Sequence, residues 1–200
     1  AREGYVEAPG VFPAEELAEI NREIDRIRDE KSEGQDANNI LKLGLRSPLT
    51  RALCADERVL SLVEQVVKPG IAIYSAKMVE KRAHDPTICH WHQDNAYYNK
   101  KSHSPCRMSV WIPLQDADEA NGCLWVVPRS HGHGTRPAEE QRDGVCKLAF
   151  ADGREEIDGA VPYPIKAGSI LLFHADLYHR SLGNQTDQTR RSFIVSYQEA

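Results

Sequence analysis

The sequence lacks any run of the roughly 18 apolar residues that a membrane span needs, so no transmembrane partner role is expected. It lacks a basic surplus: 25 Lys and Arg stand against 30 Asp and Glu, a formal charge of −5 with His neutral. Neutralising phosphates needs a basic face, so a general nucleic-acid binder is not expected. The stretch Ala1 to Pro9 has no basic segment followed by an apolar one, so no signal peptide is read there. The five cysteines (Cys54, Cys89, Cys106, Cys123 and Cys146) show no C-x-x-C spacing. That argues against a zinc cage or a disulfide framework, and the expectation is free thiols in a reducing cytoplasm. Internal repeats and low-complexity stretches are missing as well.

What is present is ordinary globular material of 200 residues, with 40% hydrophobic and 28% charged side chains. That length is room for one ordinary domain. Residues Pro13 to Glu30 read as an amphipathic helix, with Leu17, Ile20, Ile24 and Ile27 at three- and four-residue steps. Lys31 to Asn39 reads as a loop. A second helix is predicted from Ala55 to Val67, ended by Lys68-Pro69-Gly70. From residue 71 the pattern changes to short strand candidates. These are Ile71 to Lys81, Arg107 to Leu114, Cys123 to Val127, Gly144 to Phe150, Ala160 to Ile165, Ser169 to His174 and Arg190 to Gln198. Gly, Pro, Asn and Asp separate them, which predicts an antiparallel sandwich or barrel. Alternating β-α units are missing, which argues against a Rossmann-type fold. The expected organisation is one domain over residues 1–200, with a helical covering segment at 13–67 and a β core at 71–198.

Eight histidines are where the chemistry is sought. Two His-x-Asp triplets occur, His92-Gln93-Asp94 and His174-Ala175-Asp176. On a strand, residues i and i+2 share a face, so an imidazole and a carboxylate can grip one metal ion together. A third ligand must come from another strand. After His174-Ala175-Asp176 only His179 remains, three residues away on the same segment. After His92-Gln93-Asp94, His179 lies a whole set of strands downstream. His92, Asp94 and His179 are therefore the better set, and His174 and Asp176 read as local polar groups. A His-Asp-His face leaves coordination positions open, as non-heme Fe(II) oxygenases require.

Beyond His179 a polar, turn-rich loop leads to Arg190 and Arg191. A guanidinium there would match a carboxylate bidentately, which suggests a small dicarboxylate held between metal and arginine. Ser192 shares the face of Arg190. Strand parity alone does not choose between Arg190 and Arg191, and a surface arginine pair is the plain alternative.

Four segments together resemble the phytanoyl-CoA dioxygenase family of Fe(II)/2-oxoglutarate-dependent oxygenases. They are Gly4-Tyr5-Val6 through the acidic helix, Trp91-His92-Gln93-Asp94, Val110 to Leu114 leading through Asn121-Gly122 to His131, and Leu177 to Ser181 with Arg190 eleven residues past His179. The resemblance implies a mainly β fold with flanking helices, built on a double-stranded β-helix (jelly-roll, cupin-like) core. It implies His92, Asp94 and His179 as iron ligands and catalytic residues. It favours Arg190 over Arg191 as the anchor for the distal carboxylate of 2-oxoglutarate, with Ser181 and Ser192 as secondary contacts. The implied cofactors are Fe(II), 2-oxoglutarate and dioxygen, with ascorbate as a supporting reductant. The implied reaction hydroxylates an unactivated C–H bond of a small molecule and releases succinate and CO2. In related halogenases a small residue replaces the carboxylate ligand, so Asp94 argues for oxygenation. The chain is shorter than is usual for the family, and the common Pro-Gly-Ser-His turn reads Pro128-Arg129-Ser130-His131.

Two rival readings remain at this point. One is a catalytically silent jelly-roll binding protein, against which an intact triad and Arg190 argue. The other is a cupin-like metalloprotein that does not use 2-oxoglutarate, which would leave Arg190 without a role. The other expectations are simpler. Asn95 to Asn99 should lie at the pocket mouth, with Trp125 and Tyr178 as candidate walls. Lys77, Lys81 and Arg82 read as a solvated strand face. His84, His90, His103, His131 and His133 have no assigned role. The protein is expected to be a monomer or homodimer.

Overall fold

The computed structural model describes residues 2–30, 39–68, 70–98, 104, 106–141 and 146–200. Helix α1 (Ala14–Asp29) forms where the periodicity predicts it, and Leu17, Ile20, Ile24 and Ile27 are its buried side. Pro13 caps its start in an extended conformation, where the missing N–H breaks no helix bond. Glu15 and Glu16 fill the first turn and Arg26 and Arg28 the last, as the helix dipole favours.

The second predicted helix is shorter than its apolar pattern, and another helix precedes it. Helix α2 (Pro48–Cys54) begins at Ser47, whose Oγ accepts from the Thr50 N–H at 3.2 Å. Ser before Pro is a recognised helix-start signal that the apolar pattern overshadowed. Helix α3 (Glu57–Val63) begins at Asp56, which accepts from the Arg58 N–H at 2.9 Å. Tighter turns follow Val63, so Val67 is buried and Val66 exposed. The predicted loop at 31–39 lies outside the described residues up to 38. Pro69, Asn99, His103 and residues 144–145 of one predicted strand also lie outside them.

The strands are β1 (Tyr5–Ala8), β2 (Asn39–Leu41), β3 (Ile71–Lys81), β4 (Cys89–His92), β5 (Arg107–Pro113) and β6 (Leu124–Val126). They continue as β7 (Ala138–Glu140), β8 (Leu148–Phe150), β9 (Val161–Tyr163), β10 (Ile170–His174), β11 (His179–Ser181) and β12 (Arg190–Glu199). A single helical turn, α4 (Asn95–Tyr98), follows β4. One sheet has the order β1-β10-β5-β12-β3-β2 and the other β4-β11-β6-β9, while β7 and β8 pair separately. Every pairing between these strands is antiparallel. The architecture is the double-stranded β-helix.

Alternation along the strands sorts the side chains into two cores. Met78, Val110, Ile112, Leu172, Phe193 and Val195 face outward from the large sheet, under the helices. Trp111, Leu171 and Phe173, one residue out of step, face inward and meet Leu124 and Val126 of the small sheet. The site grows from this second, inner space.

Two expectations fail here. The cysteines are not all free: Cys89 of β4 and Cys146 form a disulfide, with Cα atoms 5.0 Å apart. Their sequence separation of 57 residues gives no local signal; the approach of β8 to β4 brings them together. Cys54, Cys106 and Cys123 are free. Lys77 and Lys81 are not a solvated face either. Lys81 is fully buried and Lys77 half-buried, because both sit on the inward parity of β3, opposite Ile194 and Arg190. Arg82, past the strand end, is exposed.

Arg191 takes the outward parity. Its Nε donates to Glu80 and its Nη2 to Asp25 of α1, both at 2.7 Å. Glu80 also accepts from Arg28 of α1 and is 1% exposed. This carboxylate therefore joins β12, β3 and the covering helix. Glu80→Ala should cost roughly 3 kcal/mol in urea unfolding, because the guanidinium groups of Arg28, Arg82 and Arg191 all lose this buried partner.

Candidate metal centre and co-substrate pocket

Two strands of the small sheet carry the histidines. His92 of β4 and His179 of β11 are register partners, with ring centroids 4.1 Å apart. Asp94 lies two residues past His92. Its Oδ1 sits 4.0 Å from His92 Nε2 and 3.8 Å from His179 Nε2. The three ligand atoms lie within 4.8 Å of one another, and all three residues are buried.

Backbone bonds fix which nitrogen each ring presents. His92 Nδ1 donates to the His90 carbonyl at 2.8 Å, and His179 Nδ1 to the Leu177 carbonyl at 2.9 Å. Each Nε2 is thus left as the lone-pair nitrogen facing Asp94. Asp94 Oδ2 accepts from the Ser109 hydroxyl on β5, which fixes the carboxylate. Ser109 in turn meets Ser196 at 3.3 Å, and Ser196 meets the Tyr98 hydroxyl at 2.9 Å. Gln93, fully buried between the ligands in sequence, donates to the Gly134 and Asp176 carbonyls and accepts from the Arg136 N–H. It pins the turn from which Asp94 projects. Sequence reading passed over Ser109 and Gln93, since neither stands out without its partners.

The electrostatics suit a cation. Burial, with His179 nearby, pushes His92 down to about 3, and burial lowers His179 as well. Both rings are neutral at neutral pH. For Asp94 burial acts to raise the carboxyl. His179, Lys77, His92 and the Ser109 hydroxyl outweigh it and hold the group below its ordinary value. Two neutral imidazoles and one carboxylate are a donor set for a divalent first-row metal such as iron.

Arg190 closes the other end of the same pocket, which Ser181, Ser192 and Ile194 also line. It is 2% exposed. Its Nη2 donates to the Gly122 carbonyl at 2.6 Å and its Nη1 to Ser192 Oγ at 3.1 Å. Its buried Nε has no partner, and among the described residues no carboxylate pairs with it. Burial brings its pKa down to about 10, so it stays charged at neutral pH. The Trp111 ring lies beside it, 5.7 Å from the guanidinium carbon. A buried cation with an orphaned N–H, facing a metal donor set, fits a small dicarboxylate.

The structure brings His92, Asp94, His179, Arg190, Ser181 and Ser192 to one pocket. His174 and Asp176 stay outside it, the Asp176 N–H bonding His174 Nδ1 at 3.0 Å. Tyr97 lies over His92 with centroids 6.0 Å apart, while Tyr98 is buried. The candidate walls Trp125 and Tyr178 are misplaced by one step of parity. Since His179 and Ser181 point inward, Tyr178 packs on Phe150 and Arg180 lies between Trp91 and Trp125 on the outside. Trp111 and Phe173 are the aromatic walls.

Two outcomes are expected. Unfolded imidazole charges near 6.5 and buried His92 only near 3, so in that window the unfolded chain binds more protons. Stability is therefore held above about pH 6.5 and lost as the pH falls. The melting temperature of metal-free protein should drop steadily from about pH 7 to about pH 5, and His92→Gln should flatten that slope. Gly122 has φ +81°, and an added Cβ would lie 2.5 Å from the Leu182 carbonyl oxygen. Gly122→Ala should cost about 1–3 kcal/mol in thermal or urea unfolding.

Comparison with known proteins places the chain among relatives. A family model described as phytanoyl-CoA dioxygenase (PhyH) matches residues 1–192. A phytanoyl-CoA dioxygenase domain-containing protein 1 from Danio rerio is 38% identical over 97 residues, 46% of this chain and 33% of that protein. An ectoine dioxygenase from Stutzerimonas stutzeri (strain A1501) is 23% identical over 98% of the chain and 73% of its own length. Among solved structures, the epimerase SnoN in complex with Fe3+, alpha ketoglutarate and nogalamycin RO superposes with a TM-score of 0.80. It is 23% identical and is matched over 100% of this chain and 80% of its own. The chain thus spans a third of the length of the zebrafish relative but nearly three quarters of the ectoine dioxygenase. With the family match running through both histidine strands and Arg190, the chain belongs to the phytanoyl-CoA dioxygenase family.

Proposed function

We propose that the protein is an Fe(II)- and 2-oxoglutarate-dependent oxygenase that hydroxylates an unactivated C–H bond of a small molecule, releasing succinate and CO2. The observation that carries this reading is Arg190. It is a buried cation with an unsatisfied Nε, set in the same pocket as three convergent metal donors. A metalloprotein without a dicarboxylate partner would leave that charge uncompensated, at a cost of several kcal/mol. The SnoN complex with iron and alpha ketoglutarate, on the same fold, supports the pairing of these two groups.

His92, Asp94 and His179 would hold the iron and leave three positions for ligands from solution. Bound iron with 2-oxoglutarate supplies the activation of dioxygen, and the protein's share is position and shielding. Arg190, with Ser192 on its own strand, would fix the far carboxylate of 2-oxoglutarate. Ser181, buried on β11, would offer it a hydroxyl from the opposite sheet. Ser109 keeps Asp94 in one orientation through each cycle. Trp111 and Phe173 exclude water from the pocket walls. Lys77 is half-buried at the pocket, with Tyr97 beneath its Nζ at 5.9 Å from the ring centroid. It would meet an acidic or strongly polar part of the substrate. Residues 1–200 act as one oxygenase domain in this reading.

Succinate should form from 2-oxoglutarate in the presence of Fe(II) and ascorbate, and rise further with a substrate found in a small-molecule library. His92→Ala should abolish both. Wild-type succinate that never exceeds that of His92→Ala would refute the oxygenase reading. In anaerobic calorimetry with iron present, Arg190→Ala should weaken 2-oxoglutarate binding by roughly 2–5 kcal/mol. Arg191→Ala should leave it unchanged.

A further inference from the structure

Cys89 and His92 both line the pocket, although they stand three positions apart on one strand. A regular strand would send them to opposite faces. A bulge in β4 removes the conflict. His92 pairs with His179 and Cys89 with Ser181, so His90 and Trp91 together stand opposite Arg180 alone. Such a bulge leaves a residue outside the ladder and re-aims its neighbours. Here the His90 carbonyl accepts from His92 Nδ1 at 2.8 Å. The bulge thus sets which nitrogen His92 presents to Asp94 and His179.

Ladder bonds do not hold a bulged residue, so packing has to hold it. Arg180 supplies that packing on the outer face of the small sheet. Its guanidinium carbon lies 4.9 Å from the Trp91 ring centroid and 5.3 Å from that of Trp125. Trp125 of β6 is its register partner, so β4, β11 and β6 each give one side chain to a single stack. The Glu155 carbonyl accepts from Arg180 Nη1 at 2.7 Å and from Trp91 Nε1 at 3.0 Å. Trp91 is therefore held by its face and by its edge at once. A flat cation can lie on a ring while donating in its own plane, whereas an ammonium on a flexible stem has no plane to stack. The Arg180 Nε is buried and has no hydrogen-bond partner among the described residues, in keeping with a group enclosed by ring faces.

We propose that Arg180 is a positioning residue for His92: stacked on Trp91 and Trp125, it seats the β4 bulge, and the bulge turns His92 Nε2 toward Asp94 and His179. Without the stack the His90 carbonyl loses its fixed place, and the Nδ1–H of His92 loses its acceptor. The ring then exchanges between two tautomers, of which only one offers a lone pair on Nε2. That the seated ring serves a metal rests on the oxygenase reading, whereas the seating itself does not.

Nitrogen-15 NMR of the metal-free full chain at neutral pH reads the tautomer of each ring, and His92→Gln identifies the His92 signals. Wild-type His92 should show a single form, protonated on Nδ1. In Arg180→Met, which fills the slot without plane or charge, His92 should become a mixture of forms. Arg180→Lys disturbs the packing less and should show the same mixture to a smaller extent, which keeps the test alive if the methionine variant does not fold. Cobalt(II) affinity should fall roughly 10–100-fold in Arg180→Met, as when a group behind a metal ligand is lost, and the d–d bands of the bound ion should shift. Glu80→Ala weakens the other sheet without touching β4, so it should keep the wild-type tautomer and cobalt affinity. A mixture already present in wild type, or a single Nδ1–H form in both Arg180 variants, would overturn the proposal. So would a mixture in Glu80→Ala, which would tie the tautomer to stability alone. Wild-type protein that binds neither cobalt nor 2-oxoglutarate would sink the oxygenase reading, and the tautomers would still decide the role of Arg180.

Discussion

Everything in this molecule hangs on the antiparallel seat of β12 between β3 and β5. A strand held on both edges has no freedom to rotate or slip, since a shift of one residue exchanges its two faces. On one face Phe193, Val195 and Tyr197 supply the apolar floor for the helices. On the other, Arg190 and Ser192 reach the inner pocket. The same pairing sets Lys77, Val79 and Lys81 inward and Glu80 outward. Folding the helices onto the outer face and aiming a guanidinium at the inner one are therefore a single event.

Charge inside the pocket is deliberately unbalanced. Lys77 and Arg190 line it, and Asp94 is the one carboxylate among the described lining residues. Burial presses against Lys81 too, pulling its pKa to about 7, with Arg190 adding to the effect. Its Nζ is held by the Thr87 carbonyl at 2.7 Å. Concentrating positive charge without anions costs stability, and proteins keep such arrangements where a ligand completes them. Outside, the arrangement is the reverse: the cations around Glu80 all find their partner within the chain.

The parts legible in the sequence were those written in short-range pattern. Leu17, Ile20, Ile24 and Ile27 announced α1, and the alternation of Ile71 to Lys81 gave β3 its bounds. The two-residue step from His92 to Asp94 and the distance to His179 singled out three side chains that do converge. What stayed hidden depends on which face of a strand turns inward. Trp125 and Tyr178, candidate walls by sequence, lie outside the pocket, while Lys77 lines it and Lys81 is buried rather than solvated. A strand with polar and apolar residues on both sides carries no label for its inner face, and neighbouring strands decide it. The Cys89–Cys146 pair belongs to the same class, because only the third dimension brings its members close. The choice between Arg190 and Arg191 came from family spacing rather than from the strand. Each arginine now has a separate job, one aimed at the pocket and one tied to α1.

The closed end built around Arg190 has a kinetic side. Gly122 and Ser192 hold the guanidinium from two directions, so it neither swings out nor follows a departing anion. On the oxygenase reading, succinate leaves the reaction carrying the same distal carboxylate with which 2-oxoglutarate arrived. A rigid grip at that end cannot tell the two apart. Only the chelating end differs between them, so the spent molecule competes with its replacement for one berth. Turnover in such a pocket would be throttled by the ratio of the two acids in its surroundings.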